Sequence, residues 1–246
     1  MKLVLLRHGE SQWNLENRFT GWKDVTLTKA GKNEASFSGL QIQNNQIVIK
    51  SIYTSLLKRA IETTEIVADI LNFSIDNIEF DWRLNERHYG ALQGLNKSET
   101  ALKYGEKQVQ IWRRSYDIPP PHLDYDDKRH PRFNKKFQHL SDNLPIGESL
   151  RNVVDRLESF WKSYFKMISE SKGDHLIVAH SNSLRAIIKI LEKLSDEEIV
   201  NVNIPTGVPL VYTFDNDMRL LDKKYLIDDN TLKEKEQIIL NQGKIK

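Results

Sequence analysis

Residues 3–14 read LVLLRHGESQWN. Leu3 to Leu6 form an unbroken apolar run, the pattern of a strand buried on both faces of a parallel sheet. The run stops at Arg7, His8 and Gly9, which are a cation, a titratable ring and a residue without a side chain. In parallel α/β sheets, ligands bind beyond the carboxyl ends of the strands, where loops and helix N-termini present polar groups. The change in character at Arg7 therefore predicts that the strand reaches the rim of a sheet and delivers Arg7 and His8 to a site there.

Working outward, Thr28 is placed to cap a helix running to Asn44, although Gly31 and Gly39 lower its intrinsic propensity. A second strand is expected over 47–54. Ser55 is then placed to cap a helix in which Leu56, Ala60, Ile61, Thr64, Val67, Ala68 and Leu71 share one face. NIEF at 77–80 reads as a third strand. A long helix follows from Ser149, with an apolar stripe from Leu150 to Ile168. HLIVAH at 175–180 reads as a fourth buried strand, SLRAIIKILEKL at 183–194 as a helix, and LVYTF at 210–214 as a further strand suited to an edge. Alternating strands and helices predict an α/β three-layer sandwich, a mostly parallel sheet with helices on both faces and right-handed crossovers. Residues 1–246 fit a single domain. Its pattern is broken over about 87–148 by short helices and a long polar loop, a helical and loop insert expected over the site. The final NQGKIK reads as a loose tail and, with the insert, as a candidate lid that excludes water.

The chain has 246 residues, with 36 Lys+Arg against 34 Asp+Glu and a net charge of +2. That balance gives no support for non-specific binding to nucleic acid or a membrane surface, so any electrostatic function must be local. There are no cysteines, which excludes disulfides, thiolate metal sites and a cysteine nucleophile, and suits a reducing compartment. The apolar start is too short for a signal peptide or a membrane span, so a cytoplasmic location is expected.

The chemistry-bearing residues fall at strand ends. His8 follows the first strand, Arg59 lies just past the second, Glu86 follows the third and His180 the fourth. Two histidines, two arginines and a carboxylate make a coherent device for phosphoryl transfer. A neutral imidazole is a competent nucleophile toward phosphorus near pH 7, and His8 is the candidate. Arg7, Arg59 and His180 would stabilise charge on the equatorial oxygens, with arginine's planar fork binding two oxygens at once. Glu86 is the candidate proton carrier. Taken singly, each residue also has an ordinary structural reading: His180 as a hydrogen-bonded histidine, Glu86 as a surface acid, WRR at 112–114 as a solvated helix face. His88, His122, His130, His139 and His175 are read as structural or surface residues. No HExxH pattern points to a metal, and there is no GxxxxGK[ST] or GxGxxG loop to cradle a nucleotide.

Beyond these readings, LLRHGESQWN, NRFTGW, YTSLLKRA, RLNERHYGALQGLNKSET, WRRSYD, PIGESL, AHSNSLRAI and NIPTGVPLVY together resemble the cofactor-dependent phosphoglycerate mutases of the histidine phosphatase superfamily. RHGE marks only the superfamily, whereas ERHYGALQGLNK, WRR and NIPTGVPLVY point to the mutase branch. The resemblance implies that His8 is phosphorylated, that Arg7, Arg59 and His180 complete the phosphate pocket, and that Glu86 donates and accepts the proton. It assigns Ser11, Asn14, Thr20, Gly21 and Asn182 to the phosphate and substrate site, and Tyr89, Lys97, Arg113 and Arg114 to the rest of a phosphoglycerate. A substrate with both a carboxylate and a phosphate needs such a second basic cluster. The resemblance also implies 2,3-bisphosphoglycerate as primer of His8, no metal, and a dimer or tetramer. The family's usual His-Gly-Asn is here His180-Ser181-Asn182. A phosphatase or a bisphosphoglycerate mutase would use the same pocket, and a non-catalytic phospho-ligand module would be expected to have lost the nucleophile or the acid.

Overall fold

The computed structural model describes residues 1–171, 173–242 and 244. In chain order, β1 (Lys2–Arg7) leads through the short α1 (Gln12–Leu15) to α2 (Lys29–Asn44), β2 (Ile49–Thr54), α3 (Lys58–Ile70) and β3 (Ile78–Phe80). The inserted segment contributes α4 (Lys97–Tyr104) and α5 (Glu106–Arg114), followed by loop and 3-10 turns. The chain then returns through α6 (Leu150–Glu170), β4 (Asp174–Ala179), α7 (Ser181–Glu192) and α8 (Asp196–Val200). It ends with β5 (Leu210–Phe214), β6 (Leu220–Tyr225) and α9 (Asp229–Asn241).

The six strands are ordered β3-β2-β4-β1-β5-β6. β3, β2, β4 and β1 are mutually parallel, and β5 runs antiparallel to both its neighbours, β1 and β6. The sheet is thus the mostly parallel one expected. Because successive side chains of a strand point to opposite faces, Leu3 and Leu5 of β1 enter one core with α6 and α7, while Val4 and Leu6 enter a second with α2 and α3. All four are essentially inaccessible to water, and each contributes about 1.5–3 kcal/mol by burial. This double burial is the physical content of the unbroken apolar run.

Several expectations need correction. LVYTF is not an edge strand: β5 lies between β1 and β6, and β6 forms the edge with the exposed sequence LLDKKY, whose exposed side chains carry no alternating apolar signal. Ser55 does not cap α3. That helix starts at Lys58 with Leu57 at its N-cap and no side-chain cap; Ser55 lies ahead of it, its hydroxyl accepting from the Leu57 amide at 3.2 Å and meeting His180 Nε2. α7 begins at Ser181, two residues earlier than the apolar pattern indicated. The tail is not loose throughout, since α9 reaches Asn241 and Gln242 is hydrogen-bonded. Residues 243, 245 and 246 of that tail lie outside the described residues.

Thr28 does cap α2, accepting from the Gly31 amide at 3.0 Å. Gly31 is present for a reason other than propensity. A Cβ there would stand 2.0 Å from the Glu10 carbonyl oxygen, and one on Gly9 would stand 2.1 Å from the Gly31 carbonyl oxygen. Two glycines thus let α2 pass directly beneath the loop that carries His8.

Candidate active site

The His8 amide continues the sheet ladder by donating to the Ala179 carbonyl at 3.0 Å, so the end of β4 fixes where the ring of His8 begins. Its Nδ1 lies 2.7 Å from the Gly9 carbonyl, and its Nε2 accepts from Arg59 Nε at 3.2 Å. A carbonyl can only accept, so Nδ1 carries the proton and the lone pair lies on Nε2, where the Arg59 donor meets it. Burial, with the Arg59 and Arg7 cations beside it, holds His8 well below the usual histidine range. The ring is therefore neutral at pH 7.

Arg59 is buried on α3 and also donates to the Gly21 and Lys23 carbonyls at 2.9 and 3.1 Å. Gly21 sits at φ +55°, the left-handed conformation that lets the loop turn its carbonyl toward the guanidinium. Burial lowers Arg59 to about 10, which leaves it charged at neutral pH. Arg7 donates to the Ile204 carbonyl at 2.8 Å, while its Nε is buried with no partner among the described residues. The ring of His180 stands 4.9 Å from that of His8, edge to face. Its Nε2 is 2.7 Å from Ser55 Oγ, and its buried Nδ1 likewise has no partner among the described residues.

Glu86 is held through one oxygen. Its Oε1 accepts from the Arg87 amide at 2.7 Å, the Asn182 amide at 3.2 Å and Asn182 Nδ2 at 2.9 Å. The orientation of the Asn182 carboxamide is set by Arg185, whose Nη1 donates to Asn182 Oδ1 at 3.0 Å. With its oxygen committed to a cation, the carboxamide must offer nitrogen to Glu86. Burial brings Arg185 to about 9, so this cation persists at pH 7.

Opposite these groups, Lys97 at the start of α4 and Arg113 and Arg114 at the end of α5 line the same cavity. Burial, with Arg113 close by, holds Lys97 well below the usual lysine range, and burial beside Arg114 brings Arg113 to about 10. Their donors are met from the C-terminal segment: Lys97 Nζ donates to Gln242 Oε1 at 3.2 Å, and Arg113 donates to the Gln242 carbonyl. Arg114 donates to Asn203 Oδ1 at 2.7 Å. Asn14, Thr20, Tyr89 and Asn182 also line the cavity. Ser11 and Gly21 act through others: Ser11 caps α1 and bonds Asn14, and Gly21 holds Arg59. From the sequence, Ser55 reads only as a helix cap and Gln242 only as part of the tail, and Arg185 has no role assigned at the site. Arg185 carried a signal, being a cation within the apolar stripe of a helix, whereas Ser55 and Gln242 carried none.

The sequence model of the histidine phosphatase superfamily (branch 1) matches residues 3–127 and 122–224. The chain belongs to this superfamily. Proteins named 2,3-bisphosphoglycerate-dependent phosphoglycerate mutase from Parabacteroides distasonis and Hydrogenobaculum sp. are 49% and 48% identical to it, over 99% and 98% of both chains. Among solved structures, a mycobacterial glucosyl-3-phosphoglycerate phosphatase superposes with a TM-score of 0.69 at 20% identity, covering 92% of this chain and 98% of that one. At that identity the likeness concerns the fold alone. Within this histidine phosphatase fold, Ser181 stands where a glycine is usual in the mutases. It occupies the first position of α7 and is absent from the residues with positive φ. Serine is therefore accommodated without backbone strain, and it lines the cavity.

Proposed function

We propose that the chain is a 2,3-bisphosphoglycerate-dependent phosphoglycerate mutase, interconverting 3-phosphoglycerate and 2-phosphoglycerate in glycolysis and gluconeogenesis. The observation that carries this reading is the pairing, within one cavity, of a neutral His8 gripped by Arg59 with a second basic wall of Lys97, Arg113 and Arg114. One end suits a reacting phosphoryl group and the other the remaining anionic group of a phosphoglycerate. The names of the close full-length relatives agree with it.

The site fits the primer. Arg7 Nε and His180 Nδ1 are buried polar atoms without protein partners, as expected of groups that hydrogen-bond a phosphate. When bound, 2,3-bisphosphoglycerate supplies the phosphoryl group that first charges His8. From then on His8 Nε2 passes its phosphoryl group to the free hydroxyl of a bound phosphoglycerate and takes back the group at the other position. Arg59, Arg7 and His180 hold the equatorial oxygens, with Arg59 Nε exchanging its bond to His8 Nε2 for one to the phosphoryl group. Glu86 takes the proton of the attacking hydroxyl and later returns one to the leaving oxygen. With Oε1 occupied by three donors, Oε2 is the oxygen left for this work.

We take residues 1–246 as one mutase-like domain in which the insert at 87–148 and the C-terminal segment exclude water from the phosphorylated histidine. The test is a coupled enolase assay on 3-phosphoglycerate, with and without the bisphosphate, with phosphate release followed in parallel. Strong activation with little phosphate supports the mutase. Rapid phosphate release without 2-phosphoglycerate means that the pocket serves hydrolysis.

A further inference from the structure

Glu34, on α2, lies outside the cavity yet joins three segments that build it. Its Oε2 accepts from the Glu10 amide at 2.8 Å, two residues beyond His8. Its Oε1 accepts from Thr206 Oγ1 at 3.0 Å and from Lys235 Nζ at 2.7 Å. Lys235 belongs to α9, the helix that brings Ile239 and Gln242 into the site. Close packing reinforces the junction, since a Cβ on Gly207 would stand 2.4 Å from Glu34 Cβ. The Gly207 amide in turn donates to the Arg7 carbonyl at 3.0 Å.

A second cavity of about 410 Å³ lies between α9 and the segment after His8. Glu34 and Lys235 line it, and it shares Arg7, Asn14, Ile239 and Gln242 with the site. This space adjoins the site through those shared residues, and displacement of α9 would widen it into a route for water. Among the described residues of α9, the bond from Lys235 to Glu34 is the ion pair that ties the helix to the catalytic loop side. The two side chains are only 26% and 21% exposed, so solvent screens the pair less than an open surface pair.

We propose that the Glu34–Lys235 pair is a positioning device that seats α9 against the His8 loop and limits the loss of phosphorylated His8 to water. The inference rests on the phosphohistidine reading of the site. In the reaction it suppresses, a water oxygen bonds phosphorus and the Nε2–P bond breaks with its electrons returning to Nε2. One water proton goes to Glu86, and inorganic phosphate leaves.

The experiment labels the full-length protein from radioactive 2,3-bisphosphoglycerate, then follows the lifetime of the label and phosphate released per mutase turnover. Lys235→Met is expected to raise phosphate release per turnover about three- to tenfold, the range open to one partly buried ion pair, with Lys235→Gln intermediate. Lys235→Arg should restore the ratio to within about twofold, a rescue by charge that a purely structural role does not require. Melting temperatures measured alongside identify any variant that fails to fold, in which case Lys235→Gln carries the comparison. A wild type that isomerises and holds label, with Lys235→Met and Lys235→Gln hydrolysing no faster, overturns the inference alone. A wild type that takes no label overturns the reading of the site and the inference with it.

Discussion

Arg59 Nε and His8 Nε2 are 3.2 Å apart, and the cation is the donor. The arrangement marks Nε2 as the attacking nitrogen and places beside it the charge that the phosphoryl oxygens meet. His8→Gln should abolish acid-labile phosphoenzyme and lower turnover by at least about a thousandfold, as expected when a covalent nucleophile is lost. Arg59→Lys keeps the charge but loses the fork, and should cost about ten- to a hundredfold in kcat/KM. Acid-quench labelling and the coupled assay read both. A His8→Gln protein with wild-type turnover would remove the nucleophile assigned here.

Arg185 lines the cavity and holds the Asn182 carboxamide that meets Glu86, and the expectation is that it acts chiefly through Asn182, so that its removal loosens Glu86 more than the phosphate grip. For Arg185→Met the expected result is a fall in kcat of about tenfold, part of the 10²–10⁴ that a positioned acid and base supply. KM for 3-phosphoglycerate should move little, and the phosphoenzyme should still form. A KM effect larger than the kcat effect would show that Arg185 meets the substrate itself.

Lys97 belongs to the second basic wall, and Lys97→Met removes a charge-assisted hydrogen bond worth about 1.5–3 kcal/mol. KM for 3-phosphoglycerate should rise about tenfold or more while the lifetime of phosphorylated His8 stays near wild type. Steady-state kinetics and label decay separate the two effects.

His8, His88 and His180 are all held below the usual histidine range, chiefly by burial, His88 to about 3. A depressed histidine contributes stability that is complete above the unfolded value near 6.5 and is lost as pH falls below it, because the unfolded chain then binds the extra proton. For His88 alone the loss between pH 7 and pH 5 is about 2 kcal/mol, at about 1.4 kcal/mol per unit. Urea titrations at the two pH values should show it, and His88→Gln should flatten the dependence by about that amount. An unchanged slope in the variant would place the acid sensitivity elsewhere.

Gly31→Ala forces a methyl group into the backbone of the His8 loop, where the Glu10 carbonyl would be 2.0 Å away. Neither backbone can yield without breaking the α2 cap or moving His8. A destabilisation of about 3 kcal/mol or more is expected by calorimetry, in the upper range for single substitutions, together with a loss of phosphoenzyme.

The parallel half of the sheet was legible because burial on both faces writes continuous apolar runs at Leu3–Leu6 and at Leu176–Ala179, and because strand ends are where an isolated histidine or arginine stands out. β6 was not legible, since its exposed residues LLDKKY carry no period. Ser55 was misread because a serine before a helix usually caps it, whereas here the helix begins only at Lys58 and the hydroxyl serves the Leu57 amide and His180. The cluster of Lys97, Arg113 and Arg114 was visible as charge, but not that Gln242 would meet it. That contact joins residues 145 positions apart for Lys97, and nothing local encodes it.

The position of β1 has a consequence for how the chain is made. β1 is synthesised before either of its partners and lies inside the sheet, paired on one side with β4 and on the other with β5. Its partners therefore emerge only in the last third of the chain, and until then the apolar faces of Leu3 to Leu6 lack the strands that flank them. Pairing across such separations requires closing long loops before any contact rewards it, which slows folding. Assembly of the sheet around β1 must therefore wait for those later strands, and during translation β1 is exposed to association with other chains.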